Sequence, residues 1–187
     1  MASCQVYSKW LHLFGINDPE KRWLTKNPGH IEQLELLFAV FPQARVIQTH
    51  RDPAKAVPSL CSLLMNLHPI YELGRAEQRA HNMLRREAGK WAQAVRRADD
   101  ARSRYPGRVI DVVHSDFHRD PMAVLEQIYS FIDMTIDEPL RAGFAQRIAE
   151  KPELAHGVHR YDIADFGMSA EELRAQFGDY VQRFDLV

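Results

Sequence analysis

The stretch that decides the fold reads Val46-Ile47-Gln48-Thr49-His50-Arg51-Asp52-Pro53-Ala54-Lys55-Ala56-Val57-Pro58-Ser59. Residues 44–49 have the β-branched content and the length of a buried strand. Pro53 suits the first turn of a helix, because that position does not need its N–H, and Asp52 suits the cap before it. The stretch therefore predicts a strand, a tight turn and a helix.

Strands and helices alternate on both sides of this stretch. Residues 22–26, which precede the chain-breaking Asn27-Pro28-Gly29, and residues 108–113 predict two further strands. Apolar residues at helical spacing predict helices at residues 5–14, 31–40, 73–103, 121–132 and 170–184. Ser169 and Glu172 have the spacing of a capping box before the last of these helices. The alternation indicates an α/β fold.

The composition favours one ordinary globular domain. A chain of 187 residues can bury a substantial core but is short for two domains, so we expect a single domain over residues 1–187. Its 24 basic and 25 acidic side chains nearly cancel, which argues against non-specific nucleic-acid binding.

Cys4 and Cys61 are too few for a disulfide framework, which fits a reducing cytoplasm. No apolar run is long enough for a transmembrane segment, and we expect no signal peptide.

Arg51 and Ser59 form the candidate anion site. Strand ends in parallel α/β sheets face ligand crevices, and the start of the next helix offers free amides. The guanidinium of Arg51 can hold phosphate oxygens in two places, and Ser59 adds a hydroxyl donor from the helix. The residues alone leave an alternative equally open, in which Arg51 pairs with Asp52 or caps a neighbouring helix and Ser59 is an ordinary polar residue.

Three segments of the sequence carry a family resemblance. Thr49-His50-Arg51-Asp52-Pro53, followed by Ser59, resembles the strand and helix that bind the 3′-phosphate in sulfotransferases. These enzymes use 3′-phosphoadenosine 5′-phosphosulfate, and an arginine and a serine eight positions later hold the 3′-phosphate. Arg22-Trp23-Leu24-Thr25-Lys26-Asn27-Pro28-Gly29-His30 resembles the family's lysine strand and histidine loop, and Val113-His114-Ser115-Asp116-Phe117 resembles the stretch before its late helix. The resemblance implies a bacterial-type sulfotransferase with a three-layer, P-loop-NTPase-like parallel sheet flanked by helices.

The resemblance also implies roles for Lys26 and His30. Sulfuryl transfer needs cationic donors on the leaving phosphate oxygens, which is the role expected of Lys26. A histidine suits removal of the acceptor's proton at neutral pH, so His30 is the expected general base. The alternative for His30 is a structural hydrogen bond at a helix start. We expect His50 to point to the other side of the extended backbone and to lie either behind the site residues or in the core.

The remaining histidines predict no metal site. His114 and His118 have the spacing of one helical face, but the following Asp120-Pro121 predicts that they lie in a loop, and zinc is not expected. His156, His159 and Arg160, in a stretch that resembles the C-terminal end of the bacterial branch, suit either a loop that reaches the donor phosphate or a solvated polar loop.

The sequence lacks one motif that the family resemblance calls for. A Pro-Arg-Ser-Gly-Thr-Thr type of loop, whose amides bind the 5′-phosphosulfate, does not occur in the 187 residues. The resemblance is therefore to a C-terminal portion, with a sheet incomplete at its N-terminal side and an uncovered edge that favours a homodimer.

Two functional hypotheses follow. In the first, the chain transfers a sulfuryl group from the co-substrate to a hydroxyl or amine of a small-molecule, lipid or glycan acceptor. In the second, it is a truncated, non-catalytic α/β module that binds only a nucleotide or a partner.

Overall fold

The computed structural model describes residues 2–67, 75–150 and 162–187. The α-helices are α1 Ala2–Phe14, α2 Leu34–Val40, α3 Pro53–Leu67, α4 Ala76–Arg104, α5 His114–Arg119, α6 Pro121–Phe131, α7 Glu138–Glu150, α8 Ala170–Ala175 and α9 Tyr180–Arg183. The strands are β1 Val46–His50 and β2 Val109–Val113. Short 3₁₀ helices lie at Pro28–Gln33 and Ile163–Phe166.

The two strands form a small parallel sheet. β1 and β2 are neighbours, and within the described residues the sheet has these two strands. Helices α3 and α4 connect them, which is the crossover that a parallel pair requires. The predicted alternation of strands and helices is therefore confirmed at the level of a mixed α/β fold.

The strand predicted at residues 22–26 is wrong. Residues 21–27 have no regular secondary structure, and each of them is exposed. Both strands of the described sheet pair with each other, so this segment has no neighbouring strand to receive its backbone hydrogen bonds. A strand-like sequence without a neighbouring strand therefore stays irregular.

The first compact unit comprises Met1–Val46 and Gln93–Val109. Its core consists of two large side chains of α2 and two alanines of α4, namely Leu34, Phe38, Ala98 and Ala101. The small alanines let the two helices approach closely around the ring of Phe38, which is 2% exposed. The guanidinium of Arg108 lies 4.6 Å from the centre of that ring and donates to the carbonyl oxygens of Ala44 and Phe41.

The second compact unit comprises Ile47–Ala92 and Ile110–Val187. Four of its fully buried large side chains, Cys61, Met83, Leu84 and Leu173, come from α3, α4 and α8. Helix α3 packs against both α8 and the second 3₁₀ helix. The C-terminal part of the chain therefore holds in place the helix that follows β1. The single domain expected from the length stays a prediction.

The starts of α6 and α8 have the caps that the local sequence predicts, whereas the last predicted helix is interrupted. Asp120 accepts a hydrogen bond from the Ala123 amide at 3.0 Å, and the predicted capping box of Ser169 and Glu172 is present with bonds of 3.1 and 2.8 Å. The single helix predicted at residues 170–184 is instead divided into α8 and α9. Gly178 lies between them with a φ of +63°, a left-handed conformation that interrupts a right-handed helix.

Candidate functional site

The candidate anion site lies at one edge of the sheet. β1 ends at His50 and β2 ends at Val113. Because parallel neighbouring strands end at the same edge, the next residues, Arg51 and His114, leave the sheet side by side. Arg51 is exposed, as a residue that binds an anion from solvent must be.

Asp52 faces inward and does not neutralise Arg51. Its side chain is 2% exposed and accepts two hydrogen bonds from Arg174, at 3.1 and 2.8 Å. Burial alone would raise the pKa of the Asp52 carboxyl. The hydrogen bonds and charge of Arg174, together with the Ala54 amide, outweigh burial and lower that pKa. The carboxylate is therefore held by Arg174, which leaves the alternative pairing of Arg51 with Asp52 without support.

The first turn of α3 offers fewer free amides than the sequence predicted. The Ala54 amide donates to the carboxylate of Asp52 at 2.9 Å. The amides of Lys55 and Ala56 both donate to the carbonyl oxygen of Asp52 at 2.9 Å, and Pro53 has no N–H. The amides of this first turn are therefore not free to bind an anion, and the expectation of free helix amides is wrong.

Ser59 lies one turn beyond Lys55 on α3. The spacing of four residues places both side chains on the same face of the helix. Ser59 is half-buried, whereas Lys55 is exposed. The predicted pair of Arg51 and Ser59 thus lies in one compact unit, with Lys55 on the face between the helix start and Ser59.

His114 and His118 lie on a helix, which corrects the predicted loop. Helix α5 begins at His114, and Pro121 begins the separate helix α6 after the cap residue Asp120. The break before Pro121 therefore does not prevent a short helix ahead of it. One turn of α5 brings the Nε2 atoms of His114 and His118 within 3.1 Å, with ring centres 4.3 Å apart.

The charges around His114 are mostly positive. Burial lowers the pKa of His114, and the charges of Arg51, His118 and Lys55 lower it further. Partial burial and these cations together therefore favour the neutral imidazole of His114. Neither His114 nor Lys55 was predicted as a site residue, because their proximity to Arg51 depends on strand pairing rather than on local sequence.

His50 lies in the core, as predicted. It is 0% exposed, and its ring stacks on Phe184 with 3.8 Å between ring centres. Its Nε2 lies 2.7 Å from Asp111 Oδ1, and its Nδ1 lies 3.0 Å from the hydroxyl of Tyr180. His50 thus connects β1, β2 and α9, and its two ring nitrogens are both engaged.

Lys26 and His30 belong to the first compact unit. Lys26 is exposed in the irregular segment, and His30 is half-buried in the first 3₁₀ helix, where the Asn27 side chain accepts the Gly29 amide at 2.9 Å. The His30 ring lies 5.5 Å from that of Tyr7. Burial lowers the pKa of His30, so its imidazole is neutral at pH 7 and able to accept a proton.

An open cleft of about 260 Å³ lies beside α5 and α6. Three carboxylates line it, those of Asp111, Asp116 and Asp120. Its acidic lining does not suit a phosphate, and none of the four predicted site residues borders it.

Comparison with known proteins decides the family. The model of the sulfotransferase family matches residues 2–138, which is most of the chain. The chain belongs to the sulfotransferase family. Curated relatives from Mycobacterium bovis and Mycobacterium tuberculosis, both named omega-hydroxy-beta-dihydromenaquinone-9 sulfotransferase Stf3, are 27% identical over 115 residues. That alignment covers 61% of this chain and 29% of each relative.

Solved sulfotransferase structures resemble this family member over most of its length. Sulfotransferase STF9 from Mycobacterium avium is 30% identical with a TM-score of 0.75, and STF1 from Mycobacterium tuberculosis H37Rv is 29% identical with a TM-score of 0.67. Each comparison covers 88% of this chain, and 42% and 41% of the two structures. The sulfotransferase chain described here thus spans less than half the length of these relatives. All of them are named sulfotransferases, so no comparison favours the hypothesis of a non-catalytic module.

One sequence prediction for this chain falls outside the part that the structure describes. It concerns the histidine-rich stretch with His156, His159 and Arg160. Within the described ranges, no three His, Cys, Asp or Glu side chains are grouped as metal ligands. In those same ranges, no helix combines the length and the apolar character that crossing a bilayer requires.

Proposed function

We propose that the chain takes part in sulfuryl transfer from 3′-phosphoadenosine 5′-phosphosulfate to a hydroxyl or amine acceptor, in the cytoplasm. Arg51 and Ser59 bind the 3′-phosphate of the co-substrate. The observation that carries this proposal is the exposed Arg51 at the end of β1, whose neighbouring carboxylate Asp52 is held by Arg174. An arginine that is not paired with a carboxylate of the described residues, at the edge where two strands end, attracts an anion.

The proposed reaction moves one sulfuryl group. The acceptor oxygen or nitrogen attacks sulfur, the bond from sulfur to the 5′-phosphate oxygen breaks, and 3′-phosphoadenosine 5′-phosphate leaves. His30 takes the acceptor's proton, a role supported by the burial that keeps its imidazole neutral at pH 7. Lys26 stabilises the negative charge that develops on the leaving phosphate.

The finer fold proposal follows from the same relatives. We place the β1 and β2 pair in a three-layer, P-loop-NTPase-like arrangement, with α3 as the helix that follows the 3′-phosphate strand. The support is the likeness to solved mycobacterial sulfotransferases with TM-scores of 0.75 and 0.67. The curated relatives are named for a hydroxylated menaquinone acceptor, so an alcohol on an apolar molecule is the first acceptor class to test.

Calorimetric titration with 3′-phosphoadenosine 5′-phosphate tests the nucleotide site. Arg51→Ala removes a guanidinium from the site, and Arg147→Ala removes one from an exposed pair on α7 as a matched control. A charged hydrogen bond is worth about 1.5–3 kcal/mol, so we expect Arg51→Ala to weaken binding by about 10- to 150-fold and Arg147→Ala to leave it unchanged. Equal affinity of Arg51→Ala and the unaltered chain would contradict the proposed site.

A transfer assay tests the roles of His30 and Lys26. Labelled co-substrate is offered with a panel of alcohols, phenols and amines, and turnover is followed between pH 5 and 8. Loss of general base catalysis typically lowers a rate by about 10²–10⁴-fold, which we expect for His30→Ala. Because burial lowers the pKa of His30, the unaltered chain should keep its activity down to a pH below 6.5. Unchanged turnover in His30→Ala would remove His30 from the mechanism.

A further inference from the structure

The pair of imidazoles at the sheet edge is not used by the proposed function. His114 directly follows β2, and His118 lies one turn later on α5. Arg51 directly follows the neighbouring parallel strand, so the pair and Arg51 belong to one edge of the sheet. Both histidines are exposed enough to meet a ligand from solvent.

The distance between the two rings limits how the pair can carry protons. At 3.1 Å, one Nε2 must carry a hydrogen while the other Nε2 accepts it. A proton added to Nδ1 of the donor histidine leaves this bond intact, whereas a proton added to the accepting Nε2 places two hydrogens opposite each other. An anionic oxygen beside the two rings favours the second arrangement, because it accepts a hydrogen bond from each Nε2.

The surroundings select an anion over a metal ion. Two histidines four residues apart on a helix can also chelate a divalent cation, but Arg51 and Lys55 lower the pKa of His114 by their positive charge and would repel such an ion in the same way. The carboxylates on this side are already engaged. Asp116 pairs with Arg119 at 2.6 Å, Asp120 caps α6, and Asp111 contacts His50.

We infer that His114 and His118 bind the 3′-phosphate together with Arg51, and that the imidazole pair takes up a proton as the phosphate binds, an inference that rests on the proposed function. The protonated pair presents two N–H donors to one phosphate oxygen. Arg51 and Ser59 bind the remaining oxygens, and Lys55 adds positive charge from the first turn of α3. The pair makes the affinity of the site depend on pH.

The direction of this dependence follows from the charges. In the free chain, partial burial and the neighbouring cations lower the pKa of His114, which favours its neutral form at pH 7. A bound phosphate dianion reverses the local charge and raises the pKa of the pair. Binding therefore takes up a proton when the pH lies between the free and the bound pKa, and the affinity increases as the pH falls through that range.

Calorimetry at pH 7 in two buffers with different ionisation enthalpies measures the proton uptake. The probe is 3′-phosphoadenosine 5′-phosphate, and adenosine 5′-phosphate is the matched ligand without the 3′-phosphate. The second pKa of a phosphate monoester is about 6, so at pH 7 the ligand is largely a dianion and exchanges few protons itself. The variants are His114→Asn and His118→Asn, with His12→Asn on α1 as the control for loss of an exposed histidine.

We expect proton uptake by the unaltered chain and by His12→Asn, and little uptake by His114→Asn or His118→Asn. The two site variants should bind the probe about tenfold more weakly at pH 6, and only about two- to threefold more weakly at pH 8, where fewer protons are available to the site. Adenosine 5′-phosphate should show no such dependence. Thermal unfolding followed by circular dichroism confirms that each variant is folded.

The experiments distinguish failure of the inference about the imidazole pair from failure of the proposed nucleotide site. If Arg51→Ala abolishes binding while both site variants match the unaltered chain in affinity and proton uptake, the inference about the imidazole pair is wrong and the proposed function stands. If no form of the chain binds the probe, the proposed nucleotide site itself is refuted. If EDTA removes the pH dependence, the pair holds a metal ion and the inference is also wrong.

Discussion

The buried pair of Asp52 and Arg174 should be the most sensitive polar contact in the second compact unit. One oxygen of Asp52 accepts the Ala54 amide at 2.9 Å and Arg174 Nε at 3.1 Å, and the other accepts Arg174 Nη2 at 2.8 Å. A substitution at Asp52 therefore breaks the attachment of α8 to the start of α3. Asp52→Asn removes the charge and keeps a good capping residue, whereas Asp52→Ala removes both.

The free energy of unfolding lost in each variant can be worked from these contacts. Removing one partner of a buried ion pair costs about 3–5 kcal/mol. The side chain of Arg174 is 25% exposed and can regain some water, so we expect about 2–3 kcal/mol for Asp52→Asn. Asp52→Ala should cost about 1 kcal/mol more, which is the typical value of the cap.

Urea denaturation followed by circular dichroism measures these costs. The matched control is Glu126→Gln, which breaks the 2.7 Å contact with Arg141 between two side chains that are 50% and 41% exposed. Exposed pairs contribute about 0–1 kcal/mol, so this variant should lie close to the unaltered chain. If Asp52→Asn is no less stable than Glu126→Gln, the reasoning about the buried pair is refuted.

The same contacts predict a pH dependence of stability. The pKa of the Asp52 carboxyl is lower in the folded chain than its usual value of about 3.9. Its contribution to stability is therefore fully present above pH 3.9 and is lost as the pH falls through the lower, folded pKa. The stability difference between the unaltered chain and Asp52→Asn should accordingly narrow in acid, and a constant difference would contradict this.

Two further predictions concern a glycine and a cysteine. Gly167→Ala should lower the free energy of unfolding by about 3 kcal/mol, because φ is +66° and a Cβ would lie 2.6 Å from His81 Nε2. Gly178→Ala, at a residue whose φ is +63° and whose added Cβ would meet open space, should lower the free energy of unfolding by only about 1 kcal/mol. If urea denaturation gives equal losses for Gly167→Ala and Gly178→Ala, the predicted clash with His81 is refuted. Burial raises the pKa of Cys61 to about 12, so in a Cys4→Ser background iodoacetamide at pH 8 should label it only in urea. Rapid labelling of the folded chain, detected by mass spectrometry, would disprove its burial.

Features encoded by neighbouring residues could be predicted from the sequence. The strands at Val46–His50 and Val109–Val113 lie within two residues of their predicted positions, because each is a short run rich in β-branched residues. The starts of α3 and α8 were also predicted, since Pro53 and the Ser169–Glu172 pair act through hydrogen bonds within one turn.

Features that depend on distant residues could not be predicted. Arg174 lies 122 positions from Asp52, and Tyr180 lies 130 positions from His50. No local sequence pattern predicts either contact. The proximity of His114 to Arg51 likewise follows only from the pairing of β1 with β2. At residues 22–26 a strand was predicted that the structure does not contain. The local sequence is strand-like, but the segment has no strand to pair with in the described sheet.

The buried His50 fixes the register of the chain at the anion site. Successive side chains of a strand point to opposite faces, so a slip of one residue would bring the guanidinium of Arg51 into the space between Asp111, Tyr180 and Phe184. That space fits an imidazole and its two hydrogen bonds. A single insertion or deletion in β1 would therefore disturb the core and the site together.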